Sequence, residues 1–166
     1  VSENTSEINN LIGNEYLFIR NFKKAKECYI KCLNENQEDY QSLYNLLYCY
    51  EKLKQNNKAI IFLRKFIDSD PYNEIAWHQL GKLYAKSNDF NKAMSAFDFS
   101  IISNEVYSSA YIEKGKLLEK VGRNVDAIKN YEISININSP NAFISHRIGL
   151  CHLKLGNSTL AMKFFE

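Results

Sequence analysis

The sequence has little glycine and proline, with six and two residues respectively among 166. Both residue types interrupt helices, so their scarcity permits long helical segments. No apolar run reaches the length needed to span a bilayer, and no stretch alternates apolar and polar residues for long enough to predict a strand. Apolar side chains instead recur at spacings of three and four, as at Leu43, Leu46 and Tyr50. The sequence therefore predicts an all-α protein.

The sequence also lacks an excess of charge of either sign, because 21 basic and 19 acidic residues give a net charge of +2. Such a chain has no overall field that would hold nucleic acid or an anionic membrane. Its four cysteines, Cys28, Cys32, Cys49 and Cys151, are too few and too irregularly spaced for a disulfide framework, which favours reduced thiols in the cytoplasm. The chain opens on Val1 without a signal peptide pattern, as expected of a piece of a longer protein. We expect a cytoplasmic location and neither membrane nor nucleic acid as a partner.

The same residue types return along the chain with a period of 34 residues. One column holds Ala25, Ala59, Ala93, Ala127 and Ala161. A large apolar column follows each alanine by four residues, at Tyr29, Leu63, Phe97, Tyr131 and Phe165. A third column, mostly glycine, lies twelve residues before each alanine, at Gly13, Leu47, Gly81, Gly115 and Gly149. Small residues let two antiparallel helices approach closely while large ones fill the space around the contact, so the columns predict repeated helix pairs.

The third repeat carries the pattern W-x2-L-G-x2-Y followed by A-x3-F, formed by Trp77, Leu80, Gly81, Tyr84, Ala93 and Phe97. In these residues the sequence resembles the tetratricopeptide repeat (TPR) family. The resemblance covers nearly the whole chain and implies a right-handed superhelical solenoid of antiparallel helix pairs with a concave side. We expect a single solenoid over residues 1–166, with repeats at 6–39, 40–73, 74–107 and 108–141 and an incomplete fifth repeat at 142–166.

Turn residues separate the two helices of the later repeats. Gly122 and Gly156 are expected to adopt the left-handed conformation that ends a helix, and Asn88 takes the same role in the third repeat.

The motifs of common enzyme classes are absent: there is no glycine-rich phosphate loop, G-x-S-x-G, H-E-x-x-H or C-x-x-C. Cys28 and Cys32 lie one helical turn apart and could chelate a metal, but Cys32 falls in a packing column, so we favour core packing. His152 stands in a column of tyrosines and is expected to be packed with a satisfied nitrogen. We therefore expect no enzymatic activity, no cofactor and no metal site.

The resemblance also implies a binding groove, because first-helix positions two, five, nine, twelve and thirteen of each repeat line the concave surface in this family. The candidate partner-binding residues are Asn10, Asn14, Phe18, Tyr44, Tyr48, His78, Lys82, Ile112, Lys116 and His146. The apolar members would anchor a peptide, and the polar members would hydrogen-bond its backbone or an acidic side chain. Tyr44 and Tyr48 have an alternative role, which is to fill the space between neighbouring first helices.

Two further patterns bear on the partner. Lysines recur with the repeat period at Lys52, Lys86, Lys120 and Lys154. A basic ladder would favour an acidic partner, but each lysine also lies where a cation complements the end of a helix, and we favour the second interpretation. A dicarboxylate clamp for chaperone termini, known in the family, is not expected, because the first three repeats lack its cations and Glu113 would repel a carboxylate in the next register.

The leading hypothesis is a non-catalytic scaffold that binds a peptide segment or a partner helix in the groove of repeats two to four. One alternative is a structural spacer or self-assembly module that acts through its ends, including homo-association through apolar terminal helices. Another alternative is a regulatory domain of a larger enzyme. RNA binding by helical repeats needs a cationic track, which this nearly neutral chain does not provide.

Overall fold

The computed structural model describes residues 2–139 and 141–165. Within these ranges the backbone forms ten α-helices and no strand, which confirms the all-α fold. The helices are α1 (Ser2–Phe18), α2 (Phe22–Glu35), α3 (Tyr40–Lys52), α4 (Asn56–Ser69), α5 (Glu74–Lys86), α6 (Phe90–Ser103), α7 (Ser108–Lys120), α8 (Asn124–Ile137), α9 (Ala142–Lys154) and α10 (Ser158–Phe165). None of the described helices has the length and hydropathy required of a membrane span.

The chain divides into two compact units, and the division falls inside α4 between Phe62 and Leu63. The N-terminal unit holds α1 to α3 and the start of α4, and the C-terminal unit holds the rest of α4 and α5 to α10. Within the units, α1 packs on α2, α5 on α6, α7 on α8 and α9 on α10, as helical hairpins do. The single solenoid over residues 1–166 and its repeat boundaries stay predictions.

Each hairpin turns at a residue in the left-handed conformation, and these residues are spaced by the repeat period. They are Arg20 (φ 58°), Lys54 (φ 55°), Asn88 (φ 59°), Gly122 (φ 81°) and Gly156 (φ 79°). The N–H of the residue that follows donates to the carbonyl five residues earlier, as from Asn21 to Tyr16 at 2.8 Å, and so satisfies the end of the first helix. The roles predicted for Asn88, Gly122 and Gly156 are confirmed, and Arg20 and Lys54 adopt the same conformation without a residue type that favours it.

The buried core follows the columns of the sequence. A Cβ added to Gly115 would lie 2.5 Å from the ring of Tyr131, and one added to Gly81 would lie 2.6 Å from the ring of Phe97. Each glycine is therefore a notch that receives the aromatic ring of the second helix, as the spacing predicted. Because a buried ring has little freedom to move, a side chain at these positions would force the two helices apart.

Cys32 and His152 are both packed against neighbours, as expected. Cys32 is fully buried, and the described residues contain no group of three or more histidines, cysteines or carboxylates that could hold a metal. The ring of His152 stacks on Phe164 with centroids 5.6 Å apart. Its Nδ1 is buried with no hydrogen-bond partner among the described residues, so the satisfied nitrogen that we expected is not this one. The ring is held by apolar stacking on Phe164.

Candidate functional site

The candidate residues divide between the two units. Phe18, Asn10, Asn14, Tyr44 and Tyr48 belong to the N-terminal unit, and His78, Lys82, Ile112, Lys116 and His146 belong to the C-terminal unit. A groove shared by repeats two to four stays a prediction.

Tyr44 and Tyr48 lie one turn apart on α3 and are 40% and 44% exposed. The ring of Tyr48 packs edge-on against Phe22, with centroids 6.1 Å apart, and Lys52 lies 4.9 Å above its centroid. These contacts fix the ring while leaving much of it accessible, so Tyr48 is an ordered apolar surface. Phe18, at the end of α1, is 85% exposed.

A row of amides runs beside these tyrosines on the first helices. The Oδ1 atom of Asn14 accepts a hydrogen bond from the Tyr29 hydroxyl at 2.7 Å and another from Asn45 at 3.2 Å. The Nδ2 group of Asn14 donates to Asn10 at 2.8 Å, and Gln41 donates to Asn45 at 3.2 Å. The hydrogen bonds fix the orientation of each amide in the row. Gln41 stands at a position that lines the groove in this family, but the hydrogen bonds of Gln41 and Asn45 were not predicted, because a helix position alone does not reveal a hydrogen-bond partner.

The row ends at a polar cluster beneath the start of α3. Asn10 donates to Asp39 Oδ2 at 3.0 Å and to Ser42 Oγ at 2.7 Å. Asp39 caps α3 by accepting from the backbone N–H of Ser42 at 2.9 Å, and it also accepts from the Cys32 thiol at 3.1 Å. Burial alone would raise the pKa of Asp39, but the hydrogen bonds outweigh burial and lower it, so the carboxylate is charged at neutral pH.

His78 is buried in the C-terminal unit rather than open to a partner, since only 6% of it is exposed. Its ring packs edge-on against Tyr107, with centroids 5.4 Å apart. Burial, with a smaller contribution from the charges of Lys82 and Lys116, lowers its pKa to about 4, so the ring is neutral at pH 7. Its Nε2 atom has no hydrogen-bond partner within the described ranges. The accessible hydrogen-bonding group expected at His78 is therefore not present.

The other candidates of the C-terminal unit keep more surface. Lys82 and His146 are exposed, and the ring of His146 lies 5.2 Å from that of Phe165. Lys116 is half-buried, donates to Glu113 at 2.8 Å and lies 5.3 Å from the ring centroid of Phe143. Ile112 is half-buried and packs against the core around α7 and α8.

The lysine ladder has structural partners, which the sequence did not reveal. All four lysines lie in the last turn of their helices, which confirms their predicted position. The preference for the helix-end interpretation over an acidic partner stays a prediction. Lys120 also donates to Asn88 at 3.1 Å and lies 4.8 Å from the ring centroid of Phe90. Lys154 pairs with Glu119 at 2.7 Å. Lys120 and Lys154 therefore contact neighbouring elements of the C-terminal unit.

Glu119 is the centre of an ion cluster, and its side chain is only 7% exposed. Arg147 and Lys154 each place a cationic nitrogen 2.7 Å from its carboxylate, and the Tyr131 hydroxyl donates to it at 3.3 Å. Burial alone would raise the pKa of Glu119, but the hydrogen bond from Lys154 and the two positive charges outweigh burial and lower it. The cluster joins α7, α8 and α9.

Comparison with known proteins identifies the class. The family model of the tetratricopeptide repeat matches residues 6–39, 40–73 and 75–98, more than half of the chain. The chain belongs to the tetratricopeptide repeat family. This is a family of non-catalytic repeat scaffolds, and its members are generally protein-interaction scaffolds.

Among curated relatives, the chain is similar to anaphase-promoting complex subunit 3 of Schizosaccharomyces pombe, with 24% identity over 93% of this chain and 23% of that protein. It is also similar to a TPR repeat-containing protein of Methanocaldococcus jannaschii, with 23% identity over 98% of this chain and 32% of that protein. The chain thus spans 23% and 32% of the length of these two relatives.

Solved structures show the same helix-pair fold. MamA matches with a TM-score of 0.77 and 28% identity, over 97% of this chain and 88% of that chain. The pilF protein of Pseudomonas aeruginosa matches with a TM-score of 0.80 and 16% identity, over 98% of this chain and 74% of that chain.

Proposed function

We propose that the chain is a non-catalytic scaffold that binds an extended or helical segment of a partner protein along its first helices. The observation that carries the proposal is the ordered, exposed pair Tyr44 and Tyr48 beside the amide row of the N-terminal unit. Membership of a scaffold family supports the absence of catalysis.

The tyrosine pair supplies the apolar part of the proposed contact. Tyrosine offers a large rigid surface at a low entropic cost, and such residues dominate binding energy at protein interfaces. Because Phe22 and Lys52 already hold the ring of Tyr48, binding would order few further groups, which favours affinity.

The amide row supplies the polar part. Amide groups carry both donors and acceptors, which suits them to the N–H and C=O groups of a peptide backbone. Asn14 is exposed and held by Asn10, Tyr29 and Asn45, so it would meet a backbone without first having to be ordered. The row would therefore recognise the backbone and leave selectivity for side chains to other positions.

The charge on the C-terminal unit favours acidic residues in the same partner. Lys82 is exposed there, and Lys116 is half-buried. Glu113 neutralises part of this charge through its ion pair with Lys116. We therefore propose a partner segment with a modest excess of acidic residues, held mainly by apolar and backbone contacts. A chaperone terminus bound through its carboxylates is not proposed.

The test is capture of partners by the native chain, by a groove variant (Tyr44→Ala/Tyr48→Ala/Lys82→Ala) and by a matched control (Tyr72→Ala/Ile61→Ala/Lys65→Ala) with exposed residues from other surfaces. A captured protein is then cut into overlapping peptides, which are titrated against all three forms. We expect the groove variant to bind the active peptide at least tenfold more weakly, a loss of about 1.4 kcal/mol. Equal affinity of the groove and control variants, with unchanged helicity and melting temperature, would overturn the proposal.

A second candidate function is self-assembly through the ends, and exposed apolar side chains of the terminal helices favour it. Leu11 and Ile8 are exposed on α1, and Met162 and Phe165 are exposed on α10. Patches of this kind mark contact surfaces. Sedimentation velocity from micromolar to millimolar chain distinguishes the two functions: association that Leu11→Ser and Met162→Ser abolish supports self-assembly, and a concentration-independent monomer excludes it. A regulatory role within a longer enzyme remains a proposal compatible with either surface.

A further inference from the structure

One edge of the N-terminal unit carries a positive charge that the net charge of the chain conceals. Residues 16–26 include the turn between α1 and α2, and residues 52–58 include the turn between α3 and α4. The two segments hold seven cations and no carboxylate. When the neighbouring carboxylates Glu15, Glu27 and Glu51 are included, seven cations against three anions still leave a net charge of +4. The expectation of no membrane partner rested on the charge of the whole chain, which does not describe this edge.

The two turns lie side by side. Lys26 of α2 donates to Gln55 of the second turn at 3.4 Å, and its ammonium lies 5.7 Å from the ring centroid of Tyr50 on α3. All these residues belong to the N-terminal unit, so the cations of both turns share one edge. The name cationic patch is used below for five exposed cations of this edge, which are Arg20, Lys23, Lys24, Lys54 and Lys58. Lys52 is not included, because it contacts Tyr48 on the first-helix face.

The charge of the cationic patch is not neutralised by ion pairs. Among the residues that the structure describes, no ion pair involves a member of the patch. Corresponding turns of the C-terminal unit differ, because Lys92 pairs there with Asp89 at 2.7 Å, and Arg123 pairs with Asp126 at 2.7 Å. The cationic patch therefore presents its charge to an external anionic surface.

Two members of the cationic patch adopt a conformation that does not suit their residue type. Arg20 and Lys54 lie in the left-handed region, with φ of 58° and 55°, at the turn position that Gly122 and Gly156 occupy in the last two repeats. Glycine serves such a turn better than any residue with a Cβ. Strained residues of this kind cluster at functional sites, which supports a function for the two charges.

Two exposed apolar side chains lie next to the cationic patch. Phe18 is 85% exposed and Ile19 is 63% exposed, and they directly precede Arg20 in the chain. The other four repeats carry the lysine ladder at the repeat position of Phe18. The first repeat thus has an exposed aromatic ring where each of the others has a lysine.

We infer that this edge binds the surface of a membrane that contains anionic lipids. The cationic patch lies against the headgroups, and Phe18 and Ile19 enter the boundary between the headgroups and the acyl chains. An anionic bilayer offers negative charge above an apolar layer, which matches both parts of the edge. A nucleic acid backbone or an acidic protein segment matches the charge but has no apolar layer beneath it. Four of the five cations are lysines, whose ammonium groups act as point charges without a paired geometry and so suit a fluid layer of headgroups.

Flotation of the chain with lipid vesicles tests the inference. We expect the native chain to float with vesicles of phosphatidylcholine and phosphatidylserine in a ratio of about 2:1, and raised salt to release it. It should not float with vesicles of phosphatidylcholine alone. Tyr44→Ala/Tyr48→Ala should bind the anionic vesicles as the native chain does, which separates this edge from the proposed binding of a partner segment.

Two charge variants test the cationic patch. Arg20→Gly/Lys54→Gly should weaken vesicle binding at least tenfold, because each cation near an anionic membrane strengthens binding about fivefold. Its melting temperature should not fall, since glycine suits both turns. Lys31→Gln/Lys65→Gln removes the same charge from exposed positions outside the two turns, and it should bind within about threefold of the native chain.

Two tryptophan variants test whether the apolar pair enters the bilayer. Phe18→Trp adds an emission that brominated acyl chains should quench when the chain binds anionic vesicles. Tyr72→Trp, at another exposed aromatic position, adds an emission that should not be quenched. Trp77 is the only tryptophan of the native chain and contributes the same background to both variants.

Four results would overturn the inference. They are no flotation with anionic vesicles, equal flotation with neutral vesicles, equal losses in the two charge variants, and no quenching in Phe18→Trp. Tighter binding to polyglutamate or to duplex RNA than to anionic vesicles would also overturn it, because the partner would then be an acidic protein or a nucleic acid. Association of the chain alone that Phe18→Ser abolishes would overturn it as well, because a second copy would then cover this edge.

Discussion

Tyr29 of the N-terminal unit and Tyr131 of the C-terminal unit occupy the same position three repeat periods apart, and both are fully buried. Their hydroxyls have different partners. The amide of Asn45 donates to Tyr29 at 3.3 Å, whereas Tyr131 donates to the carboxylate of Glu119 at 3.3 Å and interacts with the guanidinium of Arg147. Asn45 and Arg147 are also equivalent in the repeat. The same backbone thus satisfies the same hydroxyl with neutral groups in one unit and with ions in the other.

The difference between the two tyrosines shows that the repeat fixes where a polar group is buried without fixing its chemistry. A neutral hydrogen bond contributes about 1 kcal/mol and depends little on pH. A buried carboxylate is stable only while its cations remain, and removal of one partner leaves an uncompensated charge. We therefore expect the surroundings of Tyr131 to be more sensitive to single substitutions and to acid than those of Tyr29.

The largest expected effect is that of Glu119→Ala. The substitution leaves Arg147 and Lys154 without their carboxylate, and we expect a loss of about 3 kcal/mol in the free energy of unfolding, at the lower end for buried pairs because both cations are partly exposed. Urea unfolding followed by Trp77 fluorescence measures this loss in the same unit. Glu113→Ala, which breaks a more exposed pair on α7, is the matched control and should lose less than about 1 kcal/mol. Equal losses of unfolding free energy in Glu119→Ala and Glu113→Ala would show that the ion cluster stabilises the fold no more than a surface ion pair does.

The next effect is a dependence on acid. The pKa of Glu119 is lower in the folded chain than in the unfolded chain, so its stabilisation is fully present above about pH 5 and is lost as the pH falls through about 4 toward the folded value. Unfolding of the native chain and of Glu119→Gln should therefore differ most near pH 7 and converge on acidification. Asp39, whose pKa is also lowered, is unchanged in both proteins and cancels in the difference. A constant difference from pH 7 to pH 3 would contradict the ionic origin of the effect.

The smallest expected effect is that of removing either hydroxyl. Tyr29→Phe and Tyr131→Phe should each lower the free energy of unfolding by about 1 kcal/mol. In the first variant Asn14 and Asn45 keep their mutual hydrogen bond of 3.2 Å, and in the second Glu119 keeps both cations. Hydrogen exchange measured peptide by peptide should show reduced amide protection only in the unit that contains the substitution. Tyr72→Phe, at an exposed position, is the control, and a loss there as large as in the two buried variants would count against the buried hydroxyls.

The sequence predicted the features that repeat. The 34-residue period, the glycine notch opposite an aromatic ring, and the left-handed turns at Asn88, Gly122 and Gly156 all follow from residue types that suit only one role. A repeated role leaves a repeated residue type, which is visible without coordinates.

Features that depend on neighbours could not be predicted in the same way. The groove position of His78 was inferred from its helix face, but Tyr107, from the turn before α7, packs on its ring. The ion cluster of Glu119 draws on three helices. Its position carries a glutamate in the second repeat (Glu51) and leucine or alanine in the others, so the sequence shows no repeated column of acidic residues there. Arg20 and Lys54 gave no sign of their left-handed conformation, because the turn imposes it against their preference.

The left-handed turns at Arg20 and Lys54 also affect which substitutions this protein can tolerate during evolution. A left-handed conformation disfavours residues with a Cβ by about 1 kcal/mol, and the last two repeats avoid this with Gly122 and Gly156. Arg20 and Lys54 are exposed, so glycine at either position would relieve the strain without altering a core contact, an effect that the greater freedom of glycine in the unfolded chain partly offsets. Glycine at Arg20 or Lys54 would therefore stabilise the first two repeats. The added stability would let the protein tolerate destabilising substitutions at its binding surfaces during evolution.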